Sequence, residues 1–293
     1  MKFGICLPYM KRGITRKTFK SWFEAIDEGP YNSLSCGERI TGYTYEMRQI
    51  LAAAAAVTER VRIVPSLYVL PMHNAVWAAK EIATLDILSG GRVTVTVGVG
   101  GREDDYKAVG ANFKNRFQRM DDQVEEMKRI WAGEAPFEGC DPVGPTPIQA
   151  GGPPILAGAM GPKSINRVSK WADGLYGFAM NGEAELIKYF FDAADKAWAE
   201  SERGKKPYHM GGFWYSLADD AENALKNYTY DYLKVLGEKE AKNVAKGMNL
   251  HDEGAILAAI DAIEAVGCDE LFLVPATADI QEVERMSNLL AKR

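Results

Sequence analysis

Short runs of β-branched and apolar residues recur at an almost fixed interval: Phe3 to Leu7, Ser33 to Cys36, Arg62 to Leu67 and Val93 to Val97. Their starts lie 30, 29 and 31 residues apart, the span of one strand, one helix and two short connections. Between them apolar residues fall at helical spacing: Phe19, Trp22, Phe23 and Ile26; then Ile50, Leu51 and Val57; then Val76, Ile82, Leu85 and Leu88. A strand that returns after a helix pairs in parallel, so these units predict a parallel sheet packed under helices. The second half continues less regularly, with strands at Pro154–Leu156, Gly174–Phe178, His209–Leu217 and Glu270–Val274. Helices are expected at Gly182–Glu200, Asp219–Leu236, Asp252–Val266 and Ile280–Ala291, with Asp219 and Asp252 as caps and Gly237 and Gly267 as stops. Eight such units fit an α/β fold, a (β/α)8 TIM barrel, with a doubly wound open sheet as the competing architecture. No long polar linker divides the chain, so one domain is expected over 1–293, with a proline- and glycine-rich insertion loop at about 133–154.

Charge narrows the function classes. Thirty-five Lys and Arg stand against 40 Asp and Glu, and the basic residues are scattered, so neither nucleic acid nor an anionic membrane is an expected partner. The longest apolar run, Leu51 to Val57, falls far short of the roughly 20 residues of a membrane helix. Pro8, Lys11 and Arg12 follow the first apolar run, which therefore predicts a strand rather than a signal peptide, and a cytoplasmic protein. Cys6, Cys36, Cys140 and Cys268 are dispersed, with no CxxC and no histidine at ligand spacing, so reduced thiols are expected and no metal site.

In a (β/α)8 barrel the chemistry sits on the loops after the strands, which leaves few candidates. They are Pro8 to Met10, Gly37 to Arg39, Ser66 to His73, Gly98 to Arg102, Gly158 to Ser164 and Ala179 to Gly182. After the fifth strand, Gly158 and Gly161 precede Pro162 at a helix start, a geometry that presents amides to a phosphate. After the fourth, Gly98, Gly100 and Gly101 allow close approach of a flat or anionic ligand, with Arg102 to pair with phosphate. They do not form GxGxxG, and glycine at a tight strand end is the alternative.

The segment Lys80-Glu-Ile-Ala-Thr-Leu-Asp-Ile-Leu-Ser-Gly-Gly-Arg92, followed by Val95-Thr-Val-Gly-Val-Gly100, resembles the signature of the bacterial-luciferase-like flavin and deazaflavin oxidoreductases. Asp105-Tyr106, Gly110, Arg116 to Asp122, Pro154 to Gly158, Ala172 to Gly174 and Gly267 to Pro275 extend the resemblance. It implies coenzyme F420 or FMN across the mouth of the barrel, hydride exchange with a small organic substrate, and a homodimer. It places a non-proline cis peptide at Ser66-Leu67 behind the cofactor ring. The cofactor phosphate is expected near Gly158, Ala159 and Met160, with Arg102 and Ser164 as further contacts.

Many relatives carry an acidic residue followed by histidine after the second strand; here Glu38 is followed by Arg39. An arginine stays protonated and is no general base, so Arg39 is expected to bind an anionic substrate or a cofactor carbonyl, or to pair with Glu38. His73, near the mouth, is either catalytic or the cap of the helix starting near Asn74. Tyr9, Tyr43 and Tyr68 either line the substrate side or fill the rim. The leading expectation is F420-dependent hydride transfer with Glu38 and Arg39 in the catalytic site. An FMN-dependent monooxygenase is the alternative, and a redox-free phosphate-binding isomerase or lyase using Glu38 and Lys163 is the alternative from another class.

Overall fold

A computed structural model describes residues 1–293. The strands are β1 (Lys2–Cys6), β2 (Ser33–Cys36), β3 (Arg62–Tyr68), β4 (Val95–Val97), β5 (Ile155–Gly158), β6 (Gly174–Phe178), β7 (Tyr208–Tyr215) and β8 (Glu270–Pro275). Each pairs in parallel with the next, and β1 pairs with β8 from Lys2↔Glu270 to Ile5↔Leu273, which closes the barrel and excludes the open sheet. The helices are α1 (Arg16–Glu28), α2 (Met47–Val57), α3 (Ala75–Leu88), α4 (Glu103–Ala108), α5 (Arg116–Trp131) and α6 (Pro162–Val168). They continue with α7 (Ala184–Glu200), α8 (Ala221–Leu233), α9 (Glu238–Lys246), α10 (Glu253–Ala265) and α11 (Gln281–Leu290).

Local chemistry explains where several helices start. Thr15 and Thr18 form a capping box on α1, and the Asn74 side chain accepts from the amides of Val76 and Trp77 at the start of α3. Asp252 caps α10 by accepting from Ala255 N. Asp219 does not cap α8: the helix starts one residue later than expected, and Asp219 pairs with Arg285 at 2.7 Å. The helix expected up to Leu236 ends in a 3-10 turn, and Gly237, at φ 140°, reverses the chain into α9.

Along each strand alternate residues point into the barrel, and their chemistry changes with depth. At the floor the fully buried Glu270 accepts from Arg62 Nη2, Ser33 Oγ and, at 2.9 Å, Tyr208 OH, while Arg62 also donates to Thr94. Above it Val64, Leu156, Met210 and Phe272 pack together, the Phe272 ring filling the space beside Gly4. The apolar plug seals the floor from the mouth. Glu270→Ala is expected to lower stability by about 3 kcal/mol, because it leaves the Arg62 guanidinium unpaired inside the barrel, measured by urea denaturation.

Two excursions leave the rhythm. The stretch 132–154 has no helix or strand and runs along the outside of α3, where Lys80 Nζ donates to Gly144 O and Gln149 bonds Asp86 and Val93. Asp86 lies in the last turn of α3, at the end of the barrel away from the mouth. After β7, α8 and α9 pack on each other, and α8 brings Tyr228 and Tyr232 over the mouth.

Candidate active site

The site begins with a fault in the sheet. The β3–β4 register shifts between Ser66 and Tyr68, and the Ser66–Leu67 peptide bond is cis. Leu67 is thereby set between Gly98 and Gly158. A Cβ built on either glycine would lie 2.7 Å from a Leu67 methyl carbon, closer than real contacts allow. Gly100, at φ 59°, has its Cβ position 2.9 Å from Val69. Glycine at these positions is therefore required by the approach of Leu67 on β3 and of Val69 just after it, beyond the needs of a tight strand end.

Leu67 borders a cavity of about 330 Å³ at the C-terminal mouth, within the range of small-molecule sites. Of the residues expected at the site, Glu38, Ser66, Leu67, Gly100, Arg102, Gly158 and Met160 line it. Arg39, Gly98, Ala159 and Ser164 do not; Gly98 stands behind Leu67, Ala159 is buried, and Ser164 lies on α6. Lys163 is exposed and outside the cavity, so the structure does not assemble the Glu38–Lys163 pair.

Glu38 is held from two directions. Its Oε2 accepts from Val69 N at 2.7 Å, and its Oε1 lies 2.8 Å from His73 Nε2. The His73 backbone carbonyl accepts from Arg119 and Gln123, and its ring packs edge-on against Tyr68 at 4.7 Å. So the partner of Glu38 is His73 and not Arg39, and the cap of α3 is Asn74 and not His73.

Arg39 and Arg102 grip one loop. Thr41 donates its amide and its hydroxyl to Asp105 Oδ1, its hydroxyl also accepts from Arg102 Nη2 at 3.1 Å, and its carbonyl accepts from Arg39 Nε at 2.8 Å. Burial, helped by the nearby Arg102, pulls the Arg39 guanidinium below its usual range. Arg102 Nε lies 3.4 Å from Asp105, yet Nε and Nη1 are buried and hydrogen-bond nothing. A buried guanidinium with spare donors needs an acceptor from outside the protein.

The remaining wall is mostly aromatic: Tyr9, Tyr176, Phe178, Trp214, Tyr228 and Tyr232. Of the tyrosines expected at the rim, Tyr9 lines the cavity, Tyr43 is exposed under Arg12, and Tyr68 turns outward to Glu81. Sequence reasoning missed Tyr176, Phe178, Trp214, Tyr228 and Tyr232. The available signal was the four-residue spacing of Tyr228 and Tyr232, one face of a helix, and the inward alternation Met210, Gly212, Trp214. Cys6 reaches the same cavity, and burial pushes its thiol up to about 11, so it is protonated and inert.

The residues present fit a flat cofactor with an anionic tail. Leu67 offers a raised apolar support, the glycines leave the backbone open to close approach, and Arg102 holds unused donors. The profile of the luciferase-like monooxygenase family matches residues 1–287. An uncharacterized protein of Mycobacterium tuberculosis is 35% identical over 132 residues, 42% of this chain and 46% of that protein. The chain thus matches about half the length of such curated relatives. Among solved structures, a monooxygenase from Streptomyces bottropensis covers 100% of this chain and 98% of its own at TM-score 0.78 and 24% identity. An F420-dependent secondary alcohol dehydrogenase, solved with an F420–acetone adduct, covers 98% and 97% at TM-score 0.80 and 19% identity.

Proposed function

The chain belongs to the luciferase-like monooxygenase family, and from that premise we propose that it is an oxidoreductase exchanging hydride between coenzyme F420 and a small organic substrate. The observation that carries this reading is Leu67 wedged between Gly98 and Gly158 on one side of a cavity that also exposes Glu38. The bound coenzyme supplies the hydride donor or acceptor. Leu67 would support one face of its ring, and Gly100 would let the ring lie against the backbone. Gly158 and Met160, which line the cavity, would receive the phosphate, with the spare nitrogens of Arg102 as further donors.

Glu38 is the cavity carboxylate placed to hold a proton at Oε1 or Oε2, and His73 behind it orients the carboxylate and shares that proton. Arg39 keeps the loop after β2 closed on Thr41 and adds positive charge beside the site, favouring a substrate or cofactor oxygen that gains negative charge. Side-by-side titration with F420 and FMN tests the assignment: saturable binding of F420 alone is expected. One observation favours a second reading, an FMN-dependent monooxygenase. Position 39 is an arginine where deazaflavin dehydrogenases of this family use a histidine for proton transfer, and binding of FMN alone decides for this reading.

The same reading has the enzyme working in the cytoplasm as a homodimer. No helix is long and apolar enough to cross a membrane. On α3, Trp77 is 63% and Leu88 51% exposed, beside an apolar groove completed by Met47, Leu51 and Ala52 of α2. Trp77→Glu is expected to turn a dimer into a monomer, measured by light scattering behind gel filtration.

A further inference from the structure

The two ends of the cavity are built from opposite sides of the barrel. Leu67, Gly98 and Gly158 come from β3, the end of β4 and β5. Tyr9 follows β1, Trp214 is on β7, and Tyr228 and Tyr232 come from α8 after β7. In a closed ring of eight strands, the arc from β7 to β1 stands across the mouth from the arc β3 to β5.

The aromatic end is pre-packed. Trp214 meets Tyr232 at 4.9 Å and 61° and Tyr228 at 5.6 Å and 78°, while Tyr228 and Tyr232 lie at 6.5 Å with planes 24° apart. These contacts fix the rings as one rigid wall of the cavity, and offset or edge-on packing on such a wall favours a flat π-system over a flexible chain.

The polar groups narrow the choice further. The hydroxyls of Tyr9 and Tyr232 make no hydrogen bond within the protein, although both residues line the cavity and burial holds both phenols protonated. Each is a donor waiting for an acceptor. An aliphatic chain leaves them unpaired. A cationic ligand finds no free carboxylate, because Glu38 is bound by His73 and Val69, and Asp105 by Thr41 and Arg102.

Resting on the assignment of the Leu67 end to the cofactor, we propose that Tyr9, Trp214, Tyr228 and Tyr232 form the substrate subsite, and that its substrates are flat aromatic ring systems bearing oxygen acceptors. Tyr228 stacks on the ring, and Trp214, nearly perpendicular to Tyr228, meets it edge-on. Tyr9 and Tyr232 donate to its oxygen substituents.

Calorimetric titration of the purified protein with 2-naphthol and with 1-decanol tests this directly. The aromatic probe is expected to bind at least about tenfold more tightly. Tyr228→Leu is expected to bring the two affinities close to parity, and Tyr232→Phe to weaken 2-naphthol about fivefold with naphthalene, a third probe that has no oxygen acceptor, unmoved. The readout is a ratio, so a variant that merely loosens the fold shifts both probes together and leaves it unchanged. Should a variant fail to fold, the wild-type preference decides alone. Equal or tighter binding of 1-decanol, or a ratio indifferent to both substitutions, overturns the proposal. F420 and FMN titrations of the same preparation separate the two assignments. Aromatic preference without cofactor binding removes the cofactor and keeps the subsite; cofactor binding without aromatic preference removes the subsite alone.

Discussion

Gly158→Ala is expected to weaken cofactor binding by about a hundredfold, equivalent to about 2.7 kcal/mol, while the barrel stays folded. The backbone of Gly158 is not in the left-handed region, so alanine is conformationally acceptable there. Space is the obstacle: the added methyl would lie 2.7 and 2.9 Å from the two methyl carbons of Leu67. Leu67 has little room to retreat toward β4, because its methyl already packs so close to the Gly98 backbone that a Cβ there would lie 2.7 Å away. It must move into the cavity, where it takes the room of the cofactor ring, at an overpacking cost of about 1–3 kcal/mol in stability. Adding Leu67→Ala in the same chain is expected to recover much of the lost affinity, a coupling that a double-mutant cycle by equilibrium titration reads directly.

Glu38→Gln is expected to lower the rate of hydride transfer by roughly 100- to 10,000-fold, the range for removal of a positioned acid or base. Glutamine keeps one oxygen as the acceptor for Val69 N and turns its NH2 as a donor to His73 Nε2, which accepts in the tautomer protonated at Nδ1, so the loop after β2 holds its shape and cofactor affinity stays within about threefold of wild type. Stopped-flow spectroscopy of the coenzyme measures the transfer, and equilibrium titration measures the affinity. A rate that falls only in step with cofactor affinity contradicts a proton-handling role.

The barrel was legible because its repeat is local. Spacings of about 30 residues between β-rich runs, with helical periodicity between them, specify strand, helix and return without reference to distant contacts. The cis peptide at Ser66-Leu67 was readable through the family resemblance, and the glycines after β4 and β5 through their places directly after predicted strands. The pairing of Glu38 with His73 was not. The two stand 35 residues apart, on loops after β2 and β3, and only closure of the sheet brings Oε1 within 2.8 Å of Nε2. Arg39, adjacent in sequence to Glu38, looked like its natural partner, yet the loop turns Arg39 away to Thr41. The aromatic wall escaped for a related reason: α8 reads as one amphipathic helix, and nothing in its periodicity says that Tyr228 and Tyr232 face a cavity. α9 is short and buries only Ala241 and Ala245, too weak a stripe to announce a helix.

A crystal structure of the protein with coenzyme F420 or FMN at saturation tests the central claim most directly. The expected result is a tricyclic ring seated across the mouth, one face in van der Waals contact with Leu67, the phosphate within reach of Arg102, and the aromatic wall of Trp214, Tyr228 and Tyr232 left open on the far side. A ring bound outside the cavity, or inside it but packed on the aromatic wall with Leu67 untouched, would contradict the account.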